Sequence, residues 1–135
     1  MVIQLEQAKK KYGSFELNCS MKLEPGYITG LIGRNGAGKS TTMNIITGCL
    51  AATEGSVKIN GFDILTQPRE AKRCIGYLPE QPPLYLDMTV EEYLNFAYDL
   101  KCCKLDRKPH LESICETVKI KDMYHKVIRT LSKGY

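Results

Sequence analysis

The stretch GRNGAGKS, residues 33–40, constrains this chain more than any other. Gly33, Gly38, Lys39 and Ser40 fit the pattern G-x-x-x-x-G-K-[ST]. Upstream, YITGLIG (residues 27–33) reads as a short apolar strand. Downstream, TTMNIITGCL (residues 41–50) places Met43, Ile46 and Leu50 on or near one helix face until Gly48 loosens the end. Strand, glycine-rich loop and helix in that order are the setting in which the pattern builds a phosphate site. Glycines let the backbone curl so that successive N–H groups point inward, and the positive end of the following helix adds to the attraction for an anion. Lys39 is placed to reach the β- and γ-phosphates as a point charge, and the Ser40 hydroxyl to ligate Mg²⁺. A glycine-rich turn that binds nothing is the alternative, and the flanking elements weigh against it.

Several nucleotide-binding classes share this loop. A GTPase adds an N-K-x-D motif, which this sequence lacks. A small-molecule kinase fits the length, but no lid or acceptor pocket is recognisable. The 135 residues suit one domain, and 43% hydrophobic with 25% charged residues is the balance of a soluble protein with a core. No apolar run approaches the roughly 18 to 20 residues of a membrane span, and the start MVIQLEQAKKKYG lacks a signal peptide's apolar stretch. A cytosolic location is expected. The six cysteines, at 19, 49, 74, 102, 103 and 115, form no C-x-x-C pair and read as reduced structural thiols. His110 and His125 stand alone, as surface or satisfied polar residues. The net charge of +4 is densest at Lys9, Lys10 and Lys11, which suits a solvated face, so no direct nucleic-acid ligand is expected.

Along the rest of the chain, VIQLEQ and SFELNCSMKL read as strands joined through the polar AKKKYG. Ser56 to Ile59 forms another strand that runs into an Asn60-Gly61 hairpin turn. PREAKRC makes a short helix with Pro68 at its start, IGYL (residues 75–78) a strand, and PEQPPLYLD a loop dictated by three prolines. Thr89 and Glu92 form a capping box ahead of a helix with Val90, Tyr93, Leu94, Ala97 and Leu100 on one stripe, while Glu91 and Glu92 face solvent. A second helix covers HLESICETVKI.

The wider string GLIGRNGAGKSTTMNIITG, residues 30–48, resembles the Walker A region of ATP-binding cassette (ABC) ATPases. The resemblance continues along the whole chain. Tyr12 sits where that family has an aromatic A-loop residue that stacks on adenine; a plain tyrosine at a strand end is the other reading. GSVKINGFDI is similar to the strand and turn after the first helix. IGYLPEQPPLYLDMTVEEYL is similar to the Q-loop and the entry to the helical subdomain. At the glutamine position this chain has Glu80, followed by Gln81; either Glu80 ligates Mg²⁺ with an added negative charge, or a one-residue shift gives Gln81 the role. LSKGY, residues 131–135, resembles the signature motif L-S-G-G-Q with Lys133 and Tyr135 substituted, and Ser132 with the N–H of Gly134 would contact ATP held by a second subunit.

The resemblance implies an α/β P-loop NTPase fold: an ABC-type ATPase core with N-terminal antiparallel strands and part of the helical subdomain. It divides the chain into residues 1–85, with strands, P-loop and Q-loop, and residues 86–135 up to the signature. Cofactors are then ATP, held by Gly33, Arg34, Asn35, Gly36, Ala37, Gly38, Lys39, Ser40 and Thr41, and Mg²⁺. Partners are a second ATP-binding subunit in a head-to-tail dimer and a transmembrane permease, which would hold the protein at the cytoplasmic face of the membrane. The family's Walker B Asp and Glu and its switch His follow the signature, so no catalytic residue beyond the Q-loop candidates is expected here, and negligible turnover by this chain alone. An open sheet edge and an exposed apolar face are expected beside the P-loop strand. A soluble ABC ATPase acting on ribosomes or DNA, and a nucleotide-binding module without turnover, are the other readings.

Overall fold

The computed structural model describes residues 2–132. The chain divides into two compact units, Met1–Tyr77 and Leu78–Tyr135.

The first unit is built on a four-stranded antiparallel sheet. Strands β1 (Ile3–Tyr12), β2 (Phe15–Leu23), β3 (Glu54–Ile59) and β4 (Phe62–Asp63) lie in the order β2-β1-β3-β4. The polar AKKKY segment belongs to β1 rather than to a connection. Lys9 and Lys10 are half-buried there, paired with Glu54 at 2.7 Å and with the Ala51 carbonyl at 2.8 Å, and the pairing of Tyr12 with Phe15 closes a tight hairpin at Gly13-Ser14. Alternate positions of β2 turn inward, which gathers Phe15, Leu17, Cys19 and Met21 on one face. In β1 the period is broken once. Leu5 and Ala8 are both buried because a bulge lies between them, with Gln7 at φ 47° and its amide donating to the Ser20 hydroxyl at 2.9 Å. Gly55, at φ 81°, packs against this bulge: a β-carbon there would lie 2.1 Å from the Gln7 carbonyl oxygen. The Asn60-Gly61 turn has φ 51° and 86°, as a two-residue hairpin of this type requires.

Helices α1 (Lys39–Ile46) and α2 (Pro68–Arg73) complete this unit. The core joins Leu5, Ala8, Val57 and Ile59 of the sheet to Ile45 and Ile46 of α1, Ile64, and Ala71 of α2. On α1 the buried face is Thr42, Ile45 and Ile46, while the expected Met43 is 41% exposed. The helix is too short for a face running to Leu50, and Gly48 at φ 68° ends it with its amide on the Ile45 carbonyl.

Two expected strands are absent. Residues 27–33 and 75–78 carry no strand pairing, and Ile28 and Ile32 are 104% and 94% exposed. A buried strand needs hydrogen-bonded neighbours on its flanks, and none of the described strands supplies them.

The second unit holds α3 (Val90–Leu100) and α4 (Arg107–Thr117), followed by 3-10 turns at Lys121–Met123 and Ile128–Thr130. The Thr89 hydroxyl accepts from the Glu92 amide at 3.2 Å and the Glu92 carboxylate from the Thr89 amide at 2.7 Å, so the capping box is formed. Val90, Leu111, Cys115 and Ile128 are buried. The far end of the apolar stripe is open, with Leu100 68% exposed. Arg107 pairs with Asp99 and lies 4.4 Å from the Tyr98 ring centre, tying α4 to the end of α3.

Candidate nucleotide site

The loop of residues 33–38 is shaped by two left-handed glycines, Gly36 at φ 81° and Gly38 at φ 93°. Gly36 faces open space, whereas a β-carbon on Gly38 would come within 2.9 Å of Leu17 and 3.1 Å of the Phe15 ring. The β1–β2 hairpin thus presses on the turn where the loop enters α1, and only glycine fits there. The Ala37 amide donates to the Arg34 carbonyl at 3.1 Å, which closes the loop's own turn. At its exit, the Thr42 amide and hydroxyl both donate to the Gly38 carbonyl, at 2.8 and 2.9 Å. Thr42, buried and bonded in this way, anchors the loop; its only mark in the sequence is its place in the Thr41-Thr42 pair.

No side chain caps α1, and its first turn holds no acidic residue. The first amides of the helix are therefore left for an outside acceptor, on the positive end of the helix dipole. The Lys39 ammonium donates to the carbonyls of Gly33 (2.6 Å) and Arg34 (2.8 Å), which holds the cation across the loop with a third donor to spare. Ser40 is exposed and Thr41 half-buried in the first turn. Free amides, a tethered cation and an exposed hydroxyl suit a polyphosphate with its magnesium ion.

Tyr12 is 48% exposed, opposite Phe15 in the register and on the same face, so it stands on the hairpin that flanks Gly38. The Lys10 ammonium lies 5.6 Å from its ring centre. Sequence reasoning missed the role of Phe15 and Leu17, although the alternation of β2 already put them on one face.

The other candidates belong to the second unit. Glu80 and Gln81 are both exposed in an irregular loop. Ser132 is exposed just beyond the last 3-10 turn, while Gly134 lies outside the described residues. Near Ser132 the unit contains a cavity of about 490 Å³, with Leu84, Leu86, Tyr93, Met123, Ile128 and Leu131 among its lining residues. His125 is satisfied at the surface by Glu91, 3.0 Å away. Among the described residues no helix is long and apolar enough to cross a membrane.

The sequence model of the family described as "ABC transporter" matches residues 17–135. The chain belongs to the ABC transporter family. It is 34% identical over 116 residues to human ATP-binding cassette sub-family A member 2, covering 85% of this chain and 5% of that protein. It is 36% identical to the Escherichia coli probable multidrug ABC transporter ATP-binding protein YbhF, over 74% of this chain and 18% of that protein. With the molybdate/tungstate import ATP-binding protein WtpC of Pyrococcus abyssi it shares 32% identity over 98% of this chain and 39% of that protein. The ABC fold is equally plain in three dimensions. A solved ATP-binding subunit of an ABC transporter superposes with a TM-score of 0.82 at 27% identity, covering 99% of this chain and 57% of that one. A nucleotide-free ATP-binding cassette gives 0.75 at 29% identity, with 59% of its length covered. The chain thus spans well under two thirds of these relatives.

Proposed function

We propose that this chain is the nucleotide-gripping part of an ABC transporter subunit, which couples ATP binding and hydrolysis to transport by a membrane permease. One observation carries the reading: a loop with left-handed Gly36 and Gly38 opens onto an uncapped helix while Lys39 spans it. Gly33 to Thr41 hold the phosphates through backbone amides and the Lys39 ammonium, and Tyr12 offers its ring to the base. Ser40 would hold Mg²⁺, which when bound would neutralise phosphate charge and polarise the terminal phosphoryl group; Glu80 or Gln81 is the Q-loop candidate. Ser132 and Gly134 serve the nucleotide of a second subunit. The transport partner is a membrane permease. That partner keeps the protein at the cytoplasmic side of the membrane.

Grip and turnover are separate tasks. Phosphoryl transfer needs a group that orients the attacking water, and the P-loop does not supply one. This chain by itself therefore binds ATP and releases negligible phosphate. The test is ATP affinity by fluorescence or calorimetry, with phosphate release measured alongside. Replacing Lys39 with alanine removes charge-assisted bonds and lowers affinity about 10- to 100-fold. Unchanged affinity in that variant would sink the assignment, and rapid Lys39-dependent phosphate release would refute the claim of negligible turnover.

A further inference from the structure

In the second unit, residues 86–91 and 124–129 lie against each other as a short ribbon. The Arg129 amide donates to the Leu86 carbonyl at 3.0 Å and the Ile128 amide to Met88 at 2.9 Å. In the other direction Val90 donates to Lys126 at 3.0 Å and Glu91 to Tyr124 at 2.9 Å, with Thr89 and Val127 bridged between them. One end carries the ion pair of Asp87 with Arg129, and at the other the His125 ring nitrogen lies 3.0 Å from the Glu91 carboxylate. The capping box fixes residues 89–92 to α3, so this side of the ribbon is anchored. On the other side, the Leu131 amide turns back to the Ile128 carbonyl at 3.0 Å, which holds the chain up to the residue before Ser132.

We propose that Arg129, through its pairing with Asp87, is a positioning residue for Ser132. This rests on the reading of Ser132 as a contact to the second subunit's nucleotide. The rung from Arg129 to Leu86 is the last of the ribbon and the closest to Ser132. End rungs open most readily, because they have ladder neighbours on one side alone. A side-chain pair across that rung opposes its opening and sets the direction in which the chain leaves for Ser132. The contact of His125 with Glu91 lies at the far end of the ribbon, away from Ser132.

Both partners are well exposed, at 58% and 83%, so the effect has the size of a surface ion pair, about two- to five-fold. The experiment uses the full-length protein carrying this sequence, with Asp87→Arg, Arg129→Asp and the double swap. ATP affinity of the single subunit, ATP-driven pairing by analytical ultracentrifugation, and amide exchange at Arg129 and Leu131 are measured. Each single variant weakens ATP-driven pairing two- to five-fold and speeds amide exchange at these positions, with affinity for the first ATP unchanged; the swap restores both. A purely structural surface pair would leave pairing untouched. Wild-type pairing in the single variants, or a swap that fails to restore it, overturns the proposal. So does a wild-type protein that binds ATP without pairing, and that result leaves the nucleotide site standing. Undiminished ATP affinity in Lys39→Ala strikes the nucleotide site itself, whatever the swap does.

Discussion

Single glycines show how differently one residue type can be used. Gly36 needs its left-handed backbone but has room around it, so an alanine there costs strain alone, about 1–2 kcal/mol. Gly38 combines the same backbone with contact from Leu17 and Phe15, and the Gly38→Ala variant should lose both thermal stability and ATP affinity. Gly55 is the extreme case. No flexible side chain can yield there, because the clash is with the Gln7 carbonyl in the bulge. Gly55→Ala should lower the stability of the folded chain by more than about 3 kcal/mol, read as a reduced urea midpoint. A midpoint unchanged within error would show that β1 does not carry this bulge. Asp63 is set by local geometry too: the Thr66 amide, with help from Leu65, holds its carboxyl below the usual range. A lowered folded pKa gives stability that is present above the ordinary carboxylate value and lost as pH falls through the folded one. Stability should therefore be level from about pH 7 to 5 and decline below about pH 4, and Asp63→Asn should flatten part of that decline.

At the scale of elements, local chemistry and partners divide the outcome. Helix α3 starts where its capping box says, because both reciprocal bonds form within four consecutive residues. Thr89→Ala should cost about 1 kcal/mol, measurable as a fall in the thermal midpoint of the second unit, and a Ser replacement should recover most of it. The Asn60-Gly61 hairpin is local in the same sense. Strand β1 is not. Its pattern of Leu5 and Ala8 inward follows from a bulge supported by Ser20 of β2 and Gly55 of β3, residues distant in sequence. Cross-strand pairing of Lys9 with Glu54 adds a charge match at 2.7 Å that alternation cannot reveal.

For the molecule as a whole, the exposed segment around Ile28 and Ile32 matters most. Tyr27, Ile28 and Ile32 are at least 80% exposed in one short run, a stretch of apolar surface with free backbone groups. This chain alone should self-associate with rising concentration and bind an apolar dye, and Ile28→Lys with Ile32→Lys should reduce both. A monodisperse monomer that ignores the dye would contradict this. The glycine-rich loop leading into a helix, the Asn60-Gly61 turn and the Thr89–Glu92 capping box were legible in the sequence because each depends on residues adjacent in the chain. So was the family, since its motifs recur in order from Tyr12 to Ser132. What tertiary structure alone decided is where pairing exists. It left residues 27–33 and 75–78 without strand partners, bulged β1, turned Thr42 rather than Met43 into the core, and zipped residues 86–91 to 124–129. The physical reason is common to all four. A backbone or side chain is held by its neighbours in space, and the sequence states its own preferences without stating who those neighbours will be.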